Sequence, residues 1–315
     1  MTALEEQILG TIQDDFPLEE RPYQVLAEKL DSTEKDVFDA VEGLRTSGII
    51  RRIGGVYDSK ALGFISRLCA GKVPNSALED FAAVVNQIPA ITHNYVRSHE
   101  YNVWFTVIAQ SEDEIHKIVD EICAKTELHE VHVLLATKKF KINTVMGATT
   151  APVIRKSVCV RSKPMAGADR ARIRIACDDI PHTLTPFKDW NVSAKELRED
   201  LDLRRMRRFG AILRHQDAGF AYNAMVCFES TEFVGSDLEL SSCGDVLANN
   251  PHVSHCYERP AFEGFPYKLY AMMHAPSAEA LESYIKEAAE SIGNPAYVVL
   301  HSVRELKKTS FKFFA

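Results

Sequence analysis

The hydropathy pattern of the first fifty residues predicts three short helices. Apolar positions at helical spacing begin at Leu4, a second helix begins at Pro22, and Thr33 is placed to cap the third. The segment 49–57 then resembles a wing hairpin. Three helices followed by a wing are typical of a winged helix-turn-helix, which we assign to residues 1–60.

After Gly63 the pattern alternates between strands and helices. The predicted strands cover 64–73, 91–97, 101–109 and 130–137, and the predicted helices cover 76–87 and 112–125. This βαββαβ order is typical of a ferredoxin-like domain, here over residues 61–142.

The chain then repeats itself. RRIGGVYDSKALGF at 51–64 aligns without gaps with RRFGAILRHQDAGF at 207–220, and ITHNYVR at 91–97 aligns with VSHCYER at 253–259. The sequence therefore predicts an α+β protein built as a pseudo-dimer within one chain. Its predicted later parts are a linker at 143–172, a degenerate helix-turn-helix without a full third helix at 173–206, and a second wing with a ferredoxin-like domain at 207–315.

Composition narrows the class of protein. With 46% hydrophobic residues among 315, the chain can form buried cores. No apolar run reaches the roughly 18 residues of a membrane span, and the acidic start MTALEEQILG does not resemble a signal peptide, so we expect a cytoplasmic protein without a membrane partner. The seven cysteines form no CxxC pair, which favours reduced thiols over disulfides or a zinc site.

Two aligned strands carry the strongest candidate chemistry. Each shows His, Tyr and Arg at alternate positions, and alternate positions on a strand share one face. The pattern predicts a polar ligand surface formed once in each half, although a histidine here could also be a core residue bonded to a backbone carbonyl. The residues concerned are His93, Tyr95, Arg97, His255, Tyr257 and Arg259.

A dense cationic run lies at the second repeat, in an otherwise acidic chain of net charge −7. It contains Arg204, Arg205, Arg207, Arg208, Arg214 and His215. A charge run is often a solvated face. However, Arg207 and Arg208 recur as Arg51 and Arg52 in the first repeat, and arginine suits bidentate binding of carboxylates. The run therefore favours a polyanionic small molecule as ligand.

A winged helix joined to a ferredoxin-like module resembles the Lrp/AsnC transcription regulators. The predicted third helix, TEKDVFDAVEGLRTS, sets four carboxylates against two cations. Specific DNA binding depends on cationic contacts to phosphates. We therefore expect no specific DNA partner.

Several strings resemble the siroheme decarboxylases, which are Lrp/AsnC-like proteins that have become enzymes. They are RRIGG, THNYVR and YNVWFT in the first half, and RRFGAILRH, AGFAYNAMV, VSHCYER, PYKLYAMMH and LHSVRELKKTSF in the second. The first half is similar to the A-type subunit and the second half to the B-type subunit, here fused. The chain departs from the family at Gln216, where a basic residue is common, and in its shortened second helix-turn-helix.

The resemblance implies removal of two acetate carboxylates from siroheme as CO2, in the siroheme-dependent route to haem or d-type haem, with no organic cofactor and no metal site beyond the substrate's own iron. A histidine is the natural proton donor because its pKa lies near neutrality, and His255 and His215 are the candidates. The candidate substrate-binding residues are Arg208, Arg214, Arg259, Tyr257, Tyr267, His274, Arg52, His93, Arg97 and Tyr101.

The residues leave alternatives open. His215 could be an exposed wing residue, His274 has Ile108 as its first-half counterpart, and the tyrosines could simply pack in the sheets. A haem- or siroheme-sensing regulator and a non-catalytic tetrapyrrole carrier are the competing functions. The sequence does not decide whether both halves act, which acetate leaves first, whether histidine ligates the iron, or whether the chain forms a further homodimer.

Overall fold

The chain forms two compact units in a computed structural model that describes residues 1–126, 128–142, 166–213, 222–229 and 240–314, apart from the side chain of Ile142. We call them the helical unit and the sheet unit. In its described parts, the helical unit contains 1–63, 166–213 and 312–314, and the sheet unit contains 64–142 and 222–311.

The first helix-turn-helix consists of α1 (Ala3–Ile12), α2 (Pro22–Lys29) and α3 (Glu34–Thr46). The predicted cap of α3 is confirmed, because the Thr33 hydroxyl accepts a hydrogen bond from the backbone N–H of Asp36 at 3.2 Å. The helices bury their apolar faces against one another, through Ile8, Ile12, Leu26, Val37, Val41 and Leu44.

The second helix-turn-helix is more complete than the sequence predicted. It contains α6 (Gly167–Ala176), α7 (Pro186–Asp189) and α8 (Ala194–Asp202), and the third of these helices has nine residues where α3 has thirteen. The predicted linker also extends too far, because residues 167–172 belong to α6. Three arginines within that helix give it the polar composition of a linker, while Ile173 and Ala176 anchor it in the core. The second copy is nonetheless shortened, since α7 has only four residues.

The two wings form one ribbon. β1 (Ile50–Tyr57) pairs antiparallel with β7 (Met206–Leu213), with Gly54 opposite Gly210, so the predicted hairpin at 49–57 is wrong. The glycines allow each strand to lie against the other repeat. A Cβ on Gly54 would lie 2.4 Å from the carbonyl oxygen of Asp178, and one on Gly210 would lie 2.5 Å from that of Ile12.

The sheet unit repeats the predicted βαββαβ order, which confirms the ferredoxin-like prediction. The first half contains β2 (Ile65–Gly71), α4 (Leu78–Gln87), β3 (Ile91–Arg97), β4 (Val103–Ala109), α5 (Glu112–Lys125), β5 (Val131–Leu134) and β6 (Lys138–Ile142). The second half contains β8 (Tyr222–Glu229), α9 (Leu240–Asn249), β9 (Val253–Glu258), β10 (Tyr267–Ala275), α10 (Ala278–Ser291) and β11 (Tyr297–Lys308).

The halves exchange their last strands. All nine strands form one sheet in the order β5-β2-β4-β3-β11-β8-β10-β9-β6. The first half contributes β6 to the second half, where it pairs with β9, and the second half contributes the end of β11 to β3. This reciprocal pairing gives the sheet unit the internal pseudo-dimer that the repeats predicted.

Side chains divide the sheet into an outer face and an inner face. On the outer face, one apolar cluster packs against α4 and α5, and a second packs against α9 and α10. On the inner face, a third cluster combines residues of both halves, including Trp104, Leu134, Cys227, Tyr270 and Leu300. None of the helices in the described ranges is long and apolar enough to cross a membrane.

Candidate functional site

The His, Tyr and Arg residues of both repeats lie on the inner face, as predicted. Tyr95 is opposite Trp104 and Tyr257 is opposite Tyr270, and both ring partners belong to the inner apolar cluster. We call His93, Tyr95 and Arg97 the first-half cluster, and His255, Tyr257 and Arg259 the second-half cluster.

The two clusters have nearly the same geometry. The His and Tyr ring centroids are 6.3 Å apart in each, with interplanar angles of 23° in the first half and 21° in the second. The guanidinium carbon lies 5.3 Å from the ring centroid of Tyr95 in one cluster and 5.1 Å from that of Tyr257 in the other. The duplication is therefore preserved in the side chains as well as in the backbone.

Both arginines of the clusters are buried cations. Arg97 is 6% exposed and Arg259 is 9% exposed. The Nη1 group of Arg97 donates to the carbonyl of Leu300 at 3.0 Å, and that of Arg259 donates to the carbonyl of Leu134 at 2.7 Å. Each arginine therefore links its own half to a strand of the other half, Arg97 to β11 and Arg259 to β5.

No carboxylate acts on these two guanidiniums within the described part of the chain. Their electrostatic neighbours are phenols and thiols, such as Tyr95 and Cys227, and the Nε atom of each is buried without a hydrogen-bond partner among the described residues. Burial lowers the pKa of Arg97 to about 10 and also lowers the pKa of Arg259. A buried cation without a counter-ion is costly, and a carboxylate ligand would relieve that cost.

Both histidines bond to the hydroxyl of the preceding residue. The Nδ1 atom of His93 lies 2.9 Å from Thr92 Oγ1, and that of His255 lies 2.9 Å from Ser254 Oγ. Neither hydroxyl was singled out from the sequence, although both aligned strings, THNYVR and VSHCYER, place a hydroxyl residue before the histidine.

The clusters differ in what surrounds them. On β10, His274 places Nε2 3.0 Å from Ser254 Oγ, whereas Ile108 occupies the matching place on β4. On the exchanged strands, Lys139 is opposite Tyr257, whereas Glu305 is opposite Tyr95. The Tyr95 hydroxyl donates to the Glu305 carboxylate at 3.3 Å. At these two places the second half has an imidazole and an ammonium, and the first half has an alkyl group and a carboxylate. The Glu305 carboxylate also lies 3.9 Å from the ammonium of Lys308, which is opposite His93.

Lys139 shares the inner face with Tyr257. The residues beside it turn to the outer face, since Lys138 Nζ donates to Ser241 Oγ at 2.6 Å and the Phe140 ring packs against Gly244 of α9. Sequence reasoning missed Lys139 because its position depends on pairing with the other half.

The two predicted tyrosines outside the clusters are packing residues in this structure. Tyr101 is 2% exposed, and its hydroxyl donates to the carbonyl of Glu263 at 2.9 Å. Tyr267 packs edge-to-face on Phe265, with 4.8 Å between ring centroids. Burial raises the pKa of both phenols. Their assignment to substrate binding stays a prediction.

The predicted arginines of the wings lie in the helical unit. Arg52 Nη2 donates to the carbonyl of Gly55 at 3.4 Å, and Arg208 Nη1 donates to that of Ala211 at 3.2 Å. Burial lowers the pKa of Arg52 to about 10 and lowers that of Arg208. These contacts stabilise the ribbon, and a role in substrate binding stays a prediction. Arg214 and His215 lie outside the described residues.

A separate cavity of about 490 Å³ lies against α5 and β5 and is lined by His116, His129, His132 and Phe262 among others. The three imidazoles do not make it a metal centre. Across the described residues, no group of three or more His, Cys, Asp or Glu side chains is placed to hold a metal ion.

Comparison with known protein families matches the helix-turn-helix and the ferredoxin-like modules separately. The profile of the AsnC-like ligand binding domain matches residues 61–141 and 217–307, and the profile of the siroheme decarboxylase NirDL-like HTH domain matches residues 5–51. The ferredoxin-like module is thus matched twice and the helix-turn-helix once.

Individual relatives are similar over nearly the whole chain. A siroheme decarboxylase of Hydrogenobacter thermophilus is 32% identical over 98% of this chain and 95% of its own length. A siroheme decarboxylase alpha subunit of Desulfovibrio desulfuricans is 46% identical over 45% of this chain and 82% of its own length. The crystal structure of the siroheme decarboxylase NirDL in co-complex with an iron-uroporphyrin III analogue matches with a TM-score of 0.72 at 28% identity, covering 99% of this chain and 95% of that one. The chain therefore belongs to the siroheme decarboxylase family, in its fused single-chain form.

Proposed function

We propose that this chain is a carboxy-lyase that removes two acetate carboxylates from siroheme as CO2, giving didecarboxysiroheme. The observation that carries the proposal is the second-half cluster. There, an imidazole shares the inner face of the sheet with a buried guanidinium that has no carboxylate partner among the described residues. A structural relative, NirDL, has been crystallised with an iron-uroporphyrin III analogue, which is also a carboxylate-rich iron tetrapyrrole.

The reaction consumes one proton for each carboxylate that leaves as CO2. Breaking the bond between the methylene and the carboxyl carbon releases CO2 and leaves an electron pair on the methylene, conjugated with the pyrrole. One proton delivered to that carbon completes the methyl group. We assign this proton to the His255 imidazolium, because imidazole exchanges protons near neutral pH and lies beside Tyr257.

The carboxylates that remain must hold the macrocycle in place. Arg259 is suited to this task because it is buried and because the described groups around it carry no negative charge at neutral pH. Its contact with the Tyr257 ring and its bond to the Leu134 carbonyl fix its position before any ligand arrives. Such preorganisation lowers the entropy that binding must remove.

We assign the reaction to the second half. In the first half, a substrate with many carboxylates would meet the Glu305 carboxylate beside Tyr95. That carboxylate lies 3.9 Å from the Lys308 ammonium. In the second half, the substrate would meet the Lys139 ammonium beside Tyr257. Like charges repel and opposite charges attract at such distances. We therefore propose that the first-half cluster mainly supports the fold.

We further propose that the chain requires no organic cofactor and binds no specific DNA. The DNA proposal is supported by the recognition helix, α3, whose two cations already face carboxylates. Lys35 pairs with Asp39, and Arg45 pairs with Asp179 at 2.6 Å. Phosphate binding would have to compete with these ion pairs.

Anaerobic incubation of the purified chain with siroheme, followed by mass analysis of the tetrapyrrole, tests the proposal. We expect a product lighter by the mass of two CO2 molecules, without added cofactor. A tetrapyrrole that is bound but recovered unchanged would instead identify a carrier or a sensor.

A further inference from the structure

The backbone of β9 carries a bulge beside the proposed proton donor. His255 is opposite Met272 and Val253 is opposite Met273, so Ser254 is an extra residue between two paired neighbours. The bulge lets the Ser254 side chain lie against the ring of His255, although adjacent strand residues ordinarily point to opposite faces. Ser254 is 7% exposed, so its hydroxyl has little contact with solvent.

The hydroxyl of Ser254 has three polar neighbours among the described residues. Its Oγ lies 2.9 Å from His255 Nδ1, 3.0 Å from His274 Nε2 and 3.2 Å from the carbonyl oxygen of Met272. A hydroxyl can donate one hydrogen bond and accept two. The carbonyl of Met272 can only accept, so the serine proton points to it.

With the serine proton on the Met272 carbonyl, both imidazoles donate to the serine oxygen. We infer that Ser254 is a positioning residue that fixes the proton of His255 on Nδ1, so that Nε2 is the nitrogen that gains and releases the transferable proton. The same hydroxyl fixes the proton of His274 on Nε2. This inference extends the proposed function by naming the reacting nitrogen of the proton donor.

The first half lacks this constraint. Thr92 is also the extra residue of a bulge, between Ile91 opposite Val107 and His93 opposite Thr106. Its hydroxyl contacts His93 Nδ1 at 2.9 Å, but Ile108 replaces the second imidazole. Thr92 can therefore either donate to His93 or accept from it. Among the described residues, a hydroxyl shared by two imidazoles is therefore found in the second-half cluster and not in the first.

Nitrogen-15 NMR of the histidine rings in the substrate-free protein tests the inference. At a pH where His255 is neutral, we expect a protonated Nδ1 and an unprotonated Nε2, with the signals assigned by their loss in His255→Gln. In Ser254→Ala, the ring should shift toward the Nε2–H form that free histidine favours, whereas Thr92→Ala should leave the His255 signals unchanged. A wild-type His255 with its proton on Nε2, or unchanged signals in Ser254→Ala, would overturn the inference.

Turnover gives a second readout. Ser254→Ala should lower kcat by about tenfold with little change in KM, which is less than the roughly 10² to 10⁴ expected for removing the acid itself. Ser254→Thr keeps the hydroxyl and should restore both kcat and the ring signals. An equal loss in Ser254→Thr and Ser254→Ala would contradict the role of the hydroxyl. Should Ser254→Ala not fold, the wild-type spectrum alone decides the inference. The NMR result does not depend on turnover, so failure of this inference is distinguishable from failure of the proposed function.

Discussion

The two halves of the sheet unit share one fold and nearly one set of side chains, yet they differ where a carboxylate-rich ligand would meet them. Both present His, Tyr and a buried Arg in matched geometry on the inner face. The surroundings differ at matched places, where Glu305 corresponds to Lys139 and Ile108 corresponds to His274. We infer from this comparison that both halves carry the same cluster and that a few residues around it decide which cluster reacts.

The largest expected effect comes from the histidines. His255→Ala should bind siroheme but decarboxylate it about 10² to 10⁴ times more slowly, because the positioned acid is lost. His93→Ala is the matched control and should retain most of the activity. Single-turnover measurements by mass analysis give both rates. Equal losses in the two variants would show that both halves act.

The arginines should show the next largest effect. Arg259→Ala should weaken binding of iron uroporphyrin by roughly ten- to hundredfold, the usual effect of losing a charge-assisted contact. Arg97→Ala loses the equivalent bond to the opposite half, at Leu300, and so controls for damage to the sheet. Equal weakening in both variants, measured by absorbance titration, would assign Arg259 a structural role only.

Reversing single charges sharpens the comparison further. Lys139→Glu gives the second half the carboxylate found in the first, and we expect about tenfold weaker binding of iron uroporphyrin, because Lys139 is exposed and partly screened. Glu305→Lys should leave the affinity of the second-half site unchanged. Weaker binding in Glu305→Lys, or unchanged binding in Lys139→Glu, would count against electrostatic discrimination between the halves.

The smallest expected effect is a pH dependence of stability that comes from one histidine of the second half. His252 stacks on Tyr284 with 3.4 Å between ring centroids, and burial lowers its pKa below the usual 6.5, whereas Ala90 occupies the matching place in the first half. Folding favours the neutral ring of His252. Its contribution to the free energy of unfolding is therefore complete above about pH 6.5 and is lost as the pH falls through the lowered pKa. Urea midpoints between pH 7.5 and 5.5 should fall less in His252→Ala than in the wild type. Parallel curves would show that His252 contributes nothing.

Local patterns in the sequence were sufficient for the elements that form within one repeat. β3 and α5 have the predicted bounds, because alternation and helical periodicity are local properties. Pairing between distant segments was not visible. The strand β6, the shared wing ribbon and the exchange of β11 all depend on contacts with the other repeat. The segment KKFKI is also short, with three lysines among its five residues.

In the candidate site, too, local patterns located some residues, and residues that depend on irregular or long-range pairing were missed. Alternate spacing located His255, Tyr257 and Arg259 on one face, because a regular strand sets that relation. Ser254 and Lys139 were missed, since one depends on a bulge and the other on a strand from the opposite half. Neither a bulge nor a long-range register leaves a periodic signal in a single sequence.

The stoichiometry of binding tests the central claim most directly. Anaerobic titration of the chain with iron uroporphyrin, followed by the absorbance of the tetrapyrrole, should saturate at one equivalent per chain, with the affinity weakened by Lys139→Glu and not by Glu305→Lys. Saturation at two equivalents, with each charge change affecting one of them, would contradict an account in which only the second half forms the site.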